Sequence, residues 1–259
     1  MKFITSDKVS LDYSDVGVGQ PIVFLAGFGA SKEIWHAQAI FFEARQFRVI
    51  QLDVRNQGLA QHTVKGLRMS RMAKDIAELI ASLGLVKPIL VGNSMGAACI
   101  WAYMSLYSDQ QLAKVVVVDQ SPKMIADETW HYGFKDLDWT NFPIQLRLDF
   151  GRATYRKIDT ATNELVTAIK QQQPFDRELD LPLLVDHAFQ DWRDVIRQST
   201  RPYLVIAGKK SPYFNPEFAE AVAQMGADGH FEIIEEAGHI VMAEQSGLFN
   251  QVLLTFIEA

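Results

Sequence analysis

Cysteine is almost missing from this sequence. Cys99 is the only cysteine among 259 residues, which excludes an intrachain disulfide, and nothing in the cysteine content indicates an oxidising compartment. A chain of this length buries roughly 70–75% of its unfolded surface, so its core needs neither a disulfide nor a metal for support. We therefore expect Cys99 to be a small buried apolar residue.

Long apolar runs and an excess of positive charge are also lacking. No stretch approaches the roughly 18 apolar residues of a membrane span, and the first residues form no apolar leader. The 25 basic and 31 acidic residues give a net charge of −6, whereas a nucleic-acid surface needs clustered Lys and Arg. These absences predict a soluble cytoplasmic protein with neither a nucleic-acid nor a membrane partner.

What the sequence does contain is a regular alternation of strand and helix patterns. After a predicted hairpin in the first twenty residues, short apolar runs alternate with helical segments as far as Val115–Val118, four consecutive valines. The alternation resumes at 203–207 and continues to a closing helix over 245–257. This pattern predicts an α/β fold with a mostly parallel, doubly wound sheet that is covered on both faces.

Residues 122–198, between these two stretches, contain no convincing strand. The short helical patterns there are interrupted by four helix-breaking residues, Pro143, Gly151, Pro174 and Pro182. The aromatic content of this segment is too high for a linker. We predict a helical cap over one end of the sheet, inserted before the last two strands, and a core domain formed by residues 1–121 and 199–259.

The first indication of chemistry is the G-x-S-x-G pentapeptide Gly92-Asn93-Ser94-Met95-Gly96. It lies between a buried strand pattern and an apolar helix predicted over 96–107. In that setting the two glycines let strand and helix cross closely, while the serine occupies a strained turn that exposes its hydroxyl. An ordinary glycine turn would also match the bare pentapeptide, so this context is what makes Ser94 the predicted nucleophile.

A serine hydroxyl is a poor nucleophile unless a base removes its proton. Of the six histidines, only His239 follows the serine in a tight turn after a late strand. His36, His62 and His187 are expected on helix or loop surfaces. No histidine pair has metal-ligand spacing, so we expect neither a metal nor a cofactor.

With these residues the chain resembles the α/β-hydrolase superfamily over nearly all of its length. The pentapeptide at 92–96 and the Ala-Gly-His turn at 237–239 carry the resemblance, together with residues 25–29 and the D-x-R turn at 53–58. The resemblance implies that the backbone N–H groups of Phe28 and Met95 form an oxyanion hole.

The catalytic acid departs from the commonest pattern of that family. The family usually places it in a G-x-x-D turn, but here Ser211 stands where the aspartate would be. Asp119, at the carboxyl end of the four-valine strand, is the better candidate, because open α/β sheets gather their active sites there and some members carry the acid after this strand. Asp119 could instead cap the following turn. Asp53 is expected to make a structural bond to Arg55 or to the backbone, and Glu217 lies inside a predicted helix.

Together these residues predict a serine hydrolase that cleaves a small, largely apolar carboxylic ester, its one expected partner, through an acyl-enzyme. Ser94 would be the nucleophile, His239 the base and Asp119 the acid. Trp130 and His131, which closely follow the acid strand, are the predicted substrate contacts of the cap. The alternatives on the same fold are a cofactor-free dioxygenase or perhydrolase, or a ligand-sensing receptor with slow turnover. Whether activity needs Ser94 or only His239 distinguishes the dioxygenase.

Overall fold

The computed structural model describes all 259 residues and contains one eight-stranded sheet. Its strands are β1 (Lys2–Ile4), β2 (Ser10–Val16), β3 (Pro21–Leu25), β4 (Arg48–Asp53), β5 (Ile89–Asn93), β6 (Val115–Val118), β7 (Tyr203–Gly208) and β8 (Gly229–Ile234). They lie in the order β1-β2-β4-β3-β5-β6-β7-β8. The pairs β1–β2 and β2–β4 are antiparallel, and all the other neighbours are parallel. The predicted mostly parallel α/β sheet is confirmed.

Nine α-helices connect and cover these strands. They are α1 (His36–Glu43), α2 (Met69–Ser82), α3 (Met95–Tyr107), α4 (Thr160–Gln172), α5 (Arg177–Phe189), α6 (Arg193–Arg197), α7 (Phe218–Ala223), α8 (Val241–Glu244) and α9 (Ser246–Glu258). Short 3₁₀ turns lie over Lys32–Trp35 and Ile144–Arg147. No helix combines the length and the apolar character that crossing a membrane would require.

The four valines of β6 show how the sheet is buried on both faces. Val115 and Val117 belong to a buried cluster of 48 residues, whereas Val116 and Val118 belong to a separate cluster of 23 residues. Successive side chains of a strand point to opposite faces, so an unbroken apolar run fits only a strand that is covered on both sides. In the larger cluster lies Cys99, fully buried in α3 as expected.

Helices α4, α5 and α6 follow β6 along the chain and precede β7, where the sequence predicted a helical insertion. We refer to residues 122–198 as the cap. The expectation that Pro182 interrupts a helix is wrong, because this proline lies inside α5. Its neighbours Leu181 and Leu183 are buried, and this packing holds the helix together despite the missing backbone N–H donor.

Candidate active site

Ser94 occupies the turn between β5 and α3 with a backbone conformation that few non-glycine residues adopt. Its φ is 54° and its ψ is −127°. A Cβ on Gly92 would lie 2.5 Å from the backbone N of Ala97, and a Cβ on Gly96 would lie 2.3 Å from the backbone O of Leu25. Both positions therefore exclude any side chain, and the closely crossed strand and helix keep the strained serine at the tip of the turn.

The turn that follows β3 lies directly beside this serine. A Cβ on Gly27 would come within 2.9 Å of the Ser94 Cβ. The next residue, Phe28, lines the same cavity as Ser94, and its backbone N–H donates to no acceptor in the protein. The N–H of Met95, the first residue of α3, is likewise without a backbone partner, as expected in the first turn of a helix. Two free N–H donors thus flank the serine.

Asp119 and His239 are joined by a hydrogen bond although they lie 120 residues apart. The distance from His239 Nδ1 to Asp119 Oδ2 is 2.6 Å, and both side chains are buried. Asp119 also accepts hydrogen bonds from the N–H of Gly208 at 3.0 Å and from the Oγ of Ser211 at 2.6 Å. The serine that stands at the usual position of the acid therefore binds the carboxylate that is present.

The other carboxylates weighed from the sequence do not approach His239. Asp53 accepts from the backbone N–H groups of Lys32 and Leu59 and pairs with the Lys32 ammonium group. Burial raises the pKa of Asp53 to about 6. Of the two expected partners, Arg55 or the backbone, Asp53 binds the backbone, and Arg55 pairs instead with Asp7 and Asp75. Glu217 is exposed just before α7.

Asn93 links the acid strand to the histidine loop, a function that the sequence did not indicate. Its Nδ2 donates to the backbone carbonyls of Val118 and His239, each at 3.1 Å. The Val118 carbonyl directly precedes Asp119 in the chain, and the His239 carbonyl belongs to the histidine itself. The amide therefore fixes the distance between the two loops that carry the hydrogen-bonded pair.

The histidine loop is also tied to the cap. The N–H of His239 donates to the carbonyl of Ala153 at 2.9 Å. The buried carboxylate of Glu244 accepts from the N–H groups of Gly238 at 2.9 Å and Tyr155 at 2.7 Å. The backbone around His239 is consequently held from both sides.

Ser94 and His239 face one cavity of about 110 Å³ between sheet and cap. Pockets for drug-sized ligands measure roughly 300–1,000 Å³, so this one suits a small molecule. Its lining is mostly apolar and consists of Gly27, Phe28, Ala30, Asn93, Ser94, Gln120, Met124, Phe134, Phe150, Ala153, Leu184, His187, Tyr213, Phe214, His239 and Ile240. The Tyr213 ring packs edge-on against the His239 imidazole, with the centroids 4.6 Å apart.

Trp130 and His131, the predicted substrate contacts, do not line this cavity. The Trp130 side chain is buried, and its Nε1 donates to Ser121 Oγ at 2.8 Å, which fixes the loop after β6. His131 is exposed to solvent. Both residues adjoin the acid strand in the sequence, but the chain turns them away from the site, so this expectation is corrected.

The position of His187, in the cap, differs from the one that the sequence predicts. The histidine was expected on a surface, but it is only 3% exposed and lines the cavity. Its burial lowers its pKa to about 4, so the imidazole is neutral near pH 7. A signal was available, because His187 lies three and four residues after the buried Leu184 and Leu183 of α5, on the same helix face.

No group of three or more His, Cys, Asp or Glu side chains is arranged to hold a metal ion. The Cys99 thiol is also far from reactive, because complete burial raises its pKa. What the arrangement offers chemically is a strained serine, a histidine oriented by a buried carboxylate, and two free N–H donors. This set suits nucleophilic attack on a carbonyl.

Residues 22–252 match the sequence model of the alpha/beta hydrolase family. Over 126 residues the chain is 33% identical to a non-heme haloperoxidase of Rhodococcus erythropolis, which covers 48% of this chain and 46% of that protein. Over 123 residues it is 31% identical to the bifunctional esterase/perhydrolase DCH of Acinetobacter calcoaceticus, covering 47% of this chain and 45% of that protein. The chain spans about half the length of these curated relatives.

Among solved structures, the esterase EaEST from Exiguobacterium antarcticum is similar over the whole chain. The comparison covers 100% of this chain and 99% of that one, with a TM-score of 0.86 and 21% identity. At this identity the likeness shows the shared fold.

Proposed function

The chain belongs to the alpha/beta hydrolase family, and on that premise we propose that it is a serine hydrolase that cleaves a small, largely apolar carboxylic ester. One observation carries the proposal: His239, hydrogen-bonded to Asp119 at 2.6 Å, shares a cavity with Ser94. A buried carboxylate on Nδ1 holds the imidazole in the tautomer that leaves Nε2 free to accept a proton.

In the proposed mechanism the Ser94 hydroxyl attacks the ester carbonyl while His239 takes its proton. The carbonyl oxygen becomes an oxyanion, which the N–H groups of Phe28 and Met95 stabilise. Such fixed donors act without reorganisation, and removing one from a comparable hydrolase slows the reaction by about 100- to 1,000-fold. His239 then gives the proton to the leaving alcohol, and an acyl-enzyme remains on Ser94.

Water completes the cycle. His239 removes a proton from a water molecule, the resulting hydroxide attacks the acyl carbonyl, and the proton returns to Ser94 as the carboxylic acid leaves. The Asp119 carboxylate stabilises the imidazolium that forms twice per turnover.

A second candidate is perhydrolysis, which the likeness to the haloperoxidase and to the esterase/perhydrolase favours. Here hydrogen peroxide replaces water in the second half of the cycle. It attacks the acyl-enzyme and leaves as a peracid, while Ser94 is regenerated. This reaction needs the same serine and the same histidine as ester hydrolysis.

The test is hydrolysis of p-nitrophenyl acetate, butyrate and octanoate by the wild type and by Ser94→Ala. We expect the two short esters to be preferred, because the cavity measures only about 110 Å³. Loss of the nucleophile should reduce kcat by roughly 10⁶-fold, as in a comparable serine hydrolase. The same two proteins, given ethyl acetate and hydrogen peroxide, report perhydrolysis through peracid formation.

His62→Phe serves as a control, since His62 is exposed and lies outside the cavity. Ester hydrolysis that survives in Ser94→Ala at the wild-type rate would contradict the proposal. If neither ester hydrolysis nor perhydrolysis occurs, but oxygen is consumed with an aromatic substrate and Ser94→Ala retains that activity, the dioxygenase alternative replaces it.

A further inference from the structure

Nine buried side-chain atoms lack a hydrogen-bond partner within the protein, and two of them belong to the lining of the cavity. They are Nδ1 of His187, on α5 of the cap, and Oε1 of Gln120, directly after the acid Asp119. His187 is 3% exposed and Gln120 is 1% exposed. Buried polar groups are nearly always paired, so two unpaired groups lining one cavity indicate a ligand.

The other polar side chains of the lining already have partners. The Asn93 amide donates to two backbone carbonyls, and the Tyr213 hydroxyl donates to the carbonyl of Gly151. Ser94 and His239 belong to the proposed reaction. His187 and Gln120 are therefore the polar groups that remain for recognition of the substrate.

The chemistry of this pair defines the group that it would bind. The Gln120 Nε2 donates to the carbonyl of Ser121 at 2.8 Å, which leaves Oε1 as an unpaired acceptor on a residue that lines the cavity. The imidazole of His187 is neutral because burial lowers its pKa to about 4, so it carries one donor and one acceptor nitrogen. A hydroxyl group both donates and accepts and thus matches the two partners together.

The lining also argues against a charged substrate. None of its sixteen residues is Lys, Arg, Asp or Glu. An anion in this cavity would have no counter-ion among the lining residues, and burying an unpaired charge is costly. A neutral hydroxyl avoids this cost.

We propose that His187 and Gln120 bind a hydroxyl group of the substrate, which makes small, neutral hydroxy esters the preferred substrate class. This inference rests on the proposed ester hydrolysis and narrows it. The hydroxyl lies on either the acyl or the alcohol portion, and the experiment distinguishes the two.

Two pairs of esters of matched shape test the inference. On the acyl side, methyl 3-hydroxybutyrate is compared with methyl 3-methylbutyrate. On the alcohol side, 2-hydroxyethyl acetate is compared with propyl acetate. Initial rates are followed by pH-stat titration. We expect kcat/KM to favour the hydroxy ester in one pair by about tenfold, the size of one net hydrogen bond.

The variants assign this preference to the two residues. His187→Phe and Gln120→Met remove the polar atoms with little change in volume. Each should bring the ratio of the two kcat/KM values within the favoured pair close to one. His187→Asn keeps a polar atom near the position of Nδ1 and should retain part of the preference. His62→Phe is the matched histidine control.

Binding to Ser94→Ala, measured by calorimetry, separates the inference from the proposed function. If the wild type hydrolyses no ester, the proposed function fails, and the Kd values of the paired esters still test recognition. Equal kcat/KM and equal Kd values within both pairs would overturn the inference. A preference that persists undiminished in both His187→Phe and Gln120→Met would overturn it as well. If His187→Phe does not fold, Gln120→Met supplies the answer.

Discussion

The sheet side and the cap side of the cavity are held in place by different interactions. On the sheet side, Asp119 binds Gly208, Ser211 and His239 through hydrogen bonds of 2.6–3.0 Å. Apart from the bond between Ala153 and His239, the wall on the cap side is formed by packing, as between the rings of Phe134 and Phe150, whose centroids are 4.8 Å apart. The polar cap residue, His187, has an unpartnered ring nitrogen.

This difference predicts that substitutions in the two groups of residues have different effects. Hydrogen bonds are directional, so they hold reacting groups within the small tolerances that catalysis needs. Apolar packing is non-directional and tolerates changes of similar volume. Substitutions of the hydrogen-bonded groups around Asp119 should therefore reduce turnover of every substrate, whereas those of the packed cap residues should alter the choice among substrates or the stability of the fold.

The largest effect is expected for Asp119→Asn. The amide cannot hold the His239 tautomer that accepts the serine proton, so kcat with p-nitrophenyl butyrate should fall by about 10⁴-fold. Asp53→Asn is the matched control, because Asp53 is also buried at the end of a strand but binds Lys32. This control should melt at a lower temperature and keep most of its activity. A loss of less than tenfold in Asp119→Asn would count against Asp119 as the acid.

A second change places the acid at the position that is usual in the family. Ser211 Oγ lies 2.6 Å from Asp119 Oδ2, so a carboxylate on residue 211 can reach the space beside His239. In the Asp119→Asn background, Ser211→Asp should restore kcat by roughly 10- to 100-fold, the range of coupling between residues in contact. Ser211→Asn in the same background should restore nothing. Equal rates for the two double variants would show that a carboxylate at residue 211 does not act as the acid.

The stability of the contact between cap and core should depend on pH. Asp180 of α5 is buried and accepts hydrogen bonds from Asn56 and Gln57 of the core. Its burial raises its pKa from 3.8 to about 6. The unfolded carboxyl therefore ionises first as the pH rises, and the wild type loses stability relative to Asp180→Asn between about pH 4 and pH 6, by up to about 3 kcal/mol.

Urea denaturation of the wild type and Asp180→Asn at pH 4, 5, 6 and 7 measures this difference. The free energy of unfolding of the wild type should fall relative to that of the variant across this interval and then level off. A difference in unfolding free energy that stays constant from pH 4 to pH 7 would show that Asp180 does not titrate in this range.

The smallest effect is expected for Trp130→Phe. The ring stays buried but loses the hydrogen bond from Nε1 to Ser121 Oγ, so unfolding should become easier by about 1 kcal/mol. Values of kcat/KM for the nitrophenyl esters should stay within about twofold of the wild type, because Trp130 does not line the cavity. Loss of a transition-state contact would reduce kcat/KM by far more than twofold. A changed preference among acyl chains would instead indicate that Trp130 contacts the substrate.

The sequence predicted those parts of the fold whose signals are local. Val115–Val118 was expected as a strand and forms β6 with the same limits, because an unbroken β-branched run suits only a strand that is covered on both faces. Ser94 was expected between a strand and a helix, because the flanking glycines are required by contacts within one strand–helix crossing. In both cases the residues that fix the structure are neighbours along the chain.

Features that depend on distant neighbours could not be predicted in the same way. The carbonyls that Asn93 binds belong to residues 25 and 146 positions away, and no local pattern marks them. Trp130 follows the acid strand closely, but a hydrogen bond to Ser121 fixes its orientation. His187 could have been placed from its spacing relative to the leucines of α5, although the spacing alone does not show what that helix face covers.

The bonds between the histidine loop and the cap have a consequence for motion. His239 donates to Ala153, and Glu244 accepts from both Gly238 and Tyr155. If the whole cap swung open as one rigid body, either these bonds would break or His239 would be drawn away from Asp119. Because α5 is itself bound to the core through Asp180, movement that admits a substrate and keeps the histidine in place leaves both attachments intact.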